Sequence, residues 1–137
     1  MRFIQYMPDD ISFEELDNIK QMMEGYISDF TNIDNNISDM IKNCDDSTLL
    51  KLETLDKKTK DEILRSRDKA LSIGFIAIST MALLIRRFRS AAKLSGLFIQ
   101  LINHFVSLIT KYVGLFKIES IQVTISLTPS IVIIFKP

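Results

Sequence analysis

From Leu16 onward, apolar residues recur at alternating intervals of three and four: Leu16, Ile19, Met23, Tyr26, Phe30, Ile33, Ile37, Met40 and Cys44. The positions between them hold mostly Asp, Asn, Ser, Lys and Glu. This spacing predicts a helix of about four heptads with one narrow apolar seam, the signature of a coiled coil. The seam mixes aromatics and methionines instead of alternating Ile and Leu. That favours another helix of the same chain as its partner over a regular two-stranded zipper. Gly25 and the stretch TNIDNNISD are poor helix formers, so the helix must depend on its packing.

Its start is well marked. Ser12 followed by Glu15 is a capping box, in which the hydroxyl accepts the Glu15 N–H and the carboxylate reaches back to the Ser12 N–H. Ile11 and Leu16 flank it as a hydrophobic staple, and acids in the first turn suit the positive end of the helix dipole. NCDDST at 43–48 is the natural break, with Asp46 or Ser47 capping a second helix from about Thr48. That helix is densely charged to Lys69, with a weaker stripe of Leu49, Leu52, Leu55 and Ile63, and is expected to fold back antiparallel on the first.

The pattern changes at Ala70. Sixteen residues to Ile85 carry no charge, and Arg86, Arg87 and Arg89 follow within four positions. A second apolar segment, 94–116, sets Leu94, Leu97, Phe98, Leu101, Phe105, Leu108, Ile109 and Tyr112 on one wide helical face. Gly96, Gln100, Asn103, Ser107 and Lys111 fall opposite. A spanning helix wants roughly 20 apolar residues, and neither segment alone is a clean span. Together they predict an apolar helical hairpin built on Phe75, Ile76, Leu84, Leu97, Phe98, Leu101 and Phe105, with a basic turn at Arg86, Arg87, Arg89 and Lys93. Polar side chains in such helices should face a bundle or a lumen rather than lipid. Ala92 and Gly96 form a small-xxx-small pair suited to close helix approach.

The tail has a different period. Ile121, Val123, Ile125 and Leu127 alternate with Gln122, Thr124 and Ser126, as in a strand. TPS then turns into IVIIF, a β-branched run able to return as the second strand of a hairpin. The expected fold is therefore mainly α: a long coiled-coil-like helical hairpin leading into an apolar helical hairpin, with a short C-terminal β-strand or β-hairpin tail. The expected regions are 1–69, 70–116 and 117–137.

Charge sharpens this division. The net charge is zero, yet residues 1–60 hold 13 acids against 7 bases and residues 61–137 hold 4 acids against 10 bases. No acid lies between Asp68 and Glu119. A basic, otherwise apolar half fits contact with anionic lipid headgroups. If the hairpin spans, the excess of Arg and Lys puts its turn on the cytoplasmic side. MRFIQYMPDD does not read as a signal peptide, and Cys44 is the only cysteine, so no intrachain disulfide is possible.

Catalytic patterns are scarce. His104 is the only histidine and reads as a polar-face residue, and with one cysteine no zinc, haem or Cys–His spacing exists. Adjacent acids such as Glu14–Glu15 and Asp45–Asp46 read as helix starts, because sequence neighbours point apart on a helix. No phosphate loop or nucleophile elbow is present. RRFR with Lys93 raises a nucleic-acid reading, but its two flanks are the most apolar stretches of the chain, which favours a membrane-proximal turn. No enzyme activity, cofactor, metal, small-molecule substrate or nucleic acid is expected.

In layout, residues 12–116 resemble the helical pore-forming toxins, whose long helices pack as a stalk and carry a hairpin that enters the bilayer. The leading reading of the residues is a non-enzymatic, membrane-associated protein that assembles with itself or a helical partner through residues 16–44 and inserts residues 70–116. Two alternatives stand beside it. One is an accessory or structural subunit of a larger membrane or viral assembly, with the tail adding a strand to a neighbour's sheet. The other is a soluble helical interaction module whose apolar half a partner covers.

Overall fold

The computed structural model describes residues 11–42, 51–88, 90–125 and 129–137. Helix α1 (Phe13–Ile41) begins where expected: Ser12 Oγ accepts the Glu15 N–H at 3.1 Å and its hydroxyl donates to the Glu15 carboxylate at 3.3 Å. A 3₁₀ turn at Leu52–Thr54 precedes α2 (Lys57–Arg87), whose cap is Asp56, accepting from the Thr59 N–H at 3.4 Å. The second helix thus starts later than Thr48, because Leu52 turns into the core and the Thr54 hydroxyl holds the Lys51 carbonyl at 2.7 Å. Asp46, Ser47, Leu49 and Cys44 lie outside the described residues.

Helix α2 runs without a break across the junction of charged and apolar sequence at residue 70. A 3₁₀ segment (Ser90–Leu94) turns the chain into α3 (Ser95–Lys111), a short α4 (Val113–Phe116) follows, and Lys117 at φ 53° turns it into β1. Strands β1 (Ile118–Thr124) and β2 (Ser130–Phe135) form an antiparallel ribbon in the register Ile121↔Ile133 and Val123↔Ile131, with an irregularity between Ile118 and Ser120. The alternation read in the tail is thus a hairpin; Ser126, Leu127 and Thr128 lie outside the described residues.

The three long helices form an up-down-up bundle. Phe30 meets Phe105, Asp34 meets Lys111 and Ser38 meets Tyr112, so α1 and α3 run parallel. Gly74 meets Phe105 and Arg67 meets Phe116, so α2 runs antiparallel to α3. The core is continuous, from Met23, Phe30 and Ile37 of α1 through Ile63, Ile78 and Met81 of α2 to Leu101, Phe105 and Ile109 of α3, ending in Phe116 and Ile118.

Candidate functional surface of the helical hairpin

The seam of α1 is spent inside the chain. Ile19, Met23, Phe30, Ile33 and Ile37 are buried and Leu16, Tyr26 and Met40 are half-buried. Phe30 and Phe105 pack with ring centroids 5.6 Å apart and planes tilted by 39°. The expectation of a partner helix in the same chain holds, but the main partner is α3. Helix α2 also packs on α1, antiparallel to it as expected, with Ile63 of its charged part fully buried in the shared core.

The hairpin residues divide by direction. Phe98, Leu101 and Phe105 of α3 point into the core, and Leu84 and Leu97 are half-buried. Phe75 and Ile76 of α2 point outward, at 41% and 56% exposure, and Leu83 joins them at 48%. Ser72, Phe75, Ile76, Ser79, Thr80 and Leu83 share the spacing of one helix face, so together they form an outer stripe without a charge. With 1.5 Å of rise per residue, the charge-free run of α2 is about 24 Å long. Leu83 was missed in the sequence because every position from 81 to 85 is apolar, and periodicity cannot single out the exposed one.

At one end of this stripe stand Arg86 and Arg87, both exposed, with Lys93 close by in the turn. Arg87 lies 5.8 Å from the centre of the Phe88 ring. Among the described residues no carboxylate pairs with any of the three. Arg89 lies outside the described residues. The outward side of α3 is polar, with Gln100, Asn103, His104, Ser107 and Lys111 exposed. His104 Nδ1 donates to the Gln100 carbonyl at 2.8 Å, which accounts for its polar-face position.

A groove of about 280 Å³ separates α1 from α3 and contains Asp34, Asn103, His104, Ser107 and Lys111. Beside it is a polar latch that the sequence did not reveal. The Tyr112 hydroxyl donates to Asp34 Oδ1 at 2.5 Å, and so takes its 2.8 Å bond with Ser38 as an acceptor. Lys111 Nζ reaches the same Asp34 oxygen at 3.0 Å. Partial burial pushes the Asp34 carboxyl up, but hydrogen bonds from Tyr112 and Lys111 outweigh it and hold the group below its ordinary value. Burial, and then the bond to Asp34, raises the Tyr112 hydroxyl above its ordinary value. Asp34 and Ser38 are spaced i, i+4 beside the seam, but nothing in the sequence pairs them with a residue over 70 positions away.

A second tie holds the tail to the bundle. Arg67 donates to the Phe116 carbonyl at 3.0 Å, pairs with Asp68 at 2.9 Å and lies 5.0 Å over the Phe135 ring. The hairpin's inner face, Ile121, Val123, Ile131 and Ile133, rests on the core, while Val132, Ile134 and Phe135 of β2 stay about half exposed.

Lys57–Arg87 and Ser90–Lys111 are long and apolar enough to cross a membrane by length and composition. Of their most apolar windows 33% and 28% are buried in the bundle. Among the described residues no three of His, Cys, Asp or Glu gather as a metal site. No family model, curated protein or solved structure matches the chain.

Proposed function

We propose that this is a non-enzymatic, membrane-associating helical protein that engages lipid through its α2–α3 hairpin. The observation carrying this reading is the uncharged outer stripe of α2, with Phe75, Ile76 and Leu83 turned to the outside. An exposed apolar surface bordered by exposed cations is the composition of an interfacial helix. Full insertion of the hairpin requires α1 to leave α3. That step exposes the seam from Ile19 to Ile37 for assembly with another copy or a helical partner, as in the layout of the helical pore-forming toxins. The test is flotation with liposomes and release of a trapped dye. Ile76→Asp with Leu83→Asp should abolish flotation at unchanged helicity, and undiminished flotation would refute the assignment.

A second reading, an accessory subunit that donates a strand to a neighbour's sheet, draws on β2. Strand β1 carries Glu119 and the irregularity next to it, devices that blunt a sheet edge, whereas β2 carries no charge from Ser130 to Phe135. Dye release by the protein alone separates the two readings in favour of the first.

A further inference from the structure

We propose that the lipid partner is an anionic bilayer, and that the closed three-helix bundle docks on it side-on before any helix inserts. The inference rests on the membrane reading above and names the partner and geometry of the same surface. Arg86, Arg87 and Lys93 stand together at one end of the outer α2 stripe, exposed and without a carboxylate partner among the described residues. No acid lies between Asp68 and Glu119 in the sequence, so the turn carries no acid of its own. Clustered cations beside apolar side chains match a leaflet that presents phosphates above hydrocarbon.

Charge also sets the orientation. Helix α1 covers the inner face of the hairpin and holds seven acids against one lysine within Phe13–Ile41. An anionic surface repels that side and attracts the turn, so α2 faces the leaflet and α1 faces water. Phe75, Ile76 and Leu83 then enter the headgroup–acyl boundary while the α1–α3 latch stays closed. The polar groups of α3, Gln100 to Lys111, need not enter hydrocarbon at this stage.

The experiment is flotation of the full chain with vesicles of phosphatidylcholine alone and of phosphatidylcholine mixed with phosphatidylserine, at low and high salt. The wild-type chain should prefer the phosphatidylserine vesicles, and salt should weaken that preference. Arg86→Gln, Arg87→Gln and Lys93→Gln combined should lower affinity for them by about fivefold per charge removed, with an unchanged melting temperature. Hydrogen exchange of α1 should stay protected in the docked state. Equal affinity for both vesicles, an unaffected triple variant, or loss of α1 protection on docking would overturn the inference and leave the membrane reading standing. Absence of flotation with either vesicle overturns the membrane reading itself. Tighter binding of duplex DNA than of phosphatidylserine vesicles would make the basic turn a nucleic-acid surface and overturn the proposal.

Discussion

The ring of Phe105 lies against the bare backbone of Gly74: a β-carbon at residue 74 would stand 2.3 Å from Phe105 Cε1. Phe105 is fully buried and packs on Phe30 from the other side, so one ring joins all three long helices. Glycine normally weakens a helix interior, and replacing it with alanine ordinarily gains roughly 1 kcal/mol. Here the sign reverses. Gly74→Ala should destabilise the protein by about 1–3 kcal/mol, the cost of overpacking a filled site. Urea unfolding checks this, and a smaller loss in a Phe105→Leu background would trace it to the ring.

Tyr112→Phe removes the hydroxyl that links Asp34 to Ser38. Asp34 is about one-third open to water, with a side-chain exposure of 34%. The expected loss is therefore about 1–2 kcal/mol, the lower end for a hydrogen bond to a charged group. Chemical denaturation measures it. Hydrogen exchange should show the loosening concentrated where α1 meets α3.

The same latch predicts a pH dependence. Asp34 titrates below its ordinary value in the folded chain, so its contribution is present above the unfolded-state pKa and lost as pH falls through the folded one. Stability should decline below about pH 4, and an Asp34→Asn variant should be less stable at neutral pH with a shallower decline. A wild-type profile parallel to that of Asp34→Asn would show that the latch does not titrate.

Arg67 joins α2 to α4 through the Phe116 carbonyl and to β2 through the Phe135 ring. Arg67→Met keeps the aliphatic length but loses the donor and the cation. The expected cost is about 1–2 kcal/mol, with amide protection falling first in β1 and β2 and the α1–α3 contact left intact.

Much of this architecture was legible in the sequence because local chemistry agreed with the final packing. Ser12 and Glu15 marked the start of α1, the 3-4 spacing marked its buried face, and alternation from Ile121 marked the β-ribbon. Other features depended on distant contacts. The seam found α3 as its partner because Phe105 could enter between Phe30 and Gly74, a fit of shape that spacing does not express. The outer stripe was visible only as an uncharged run. Which of its side chains face outward depends on where α1 and α3 sit, so Phe75, Ile76 and Leu83 separated from Leu84, Ala77 and Met81 only once the bundle was assembled. The Asp34–Tyr112 latch joins polar residues that each read as ordinary helix surface.

The central claim, that the outer face of α2 meets lipid, is tested most directly by an environment-sensitive dye on single cysteines in a Cys44→Ser background. With phosphatidylserine-containing vesicles, dye at position 76 or 83 should shift to the emission of an apolar medium, and dye at position 103 should remain water-like. No shift at 76 and 83, or a shift at 103 alone, would contradict the account.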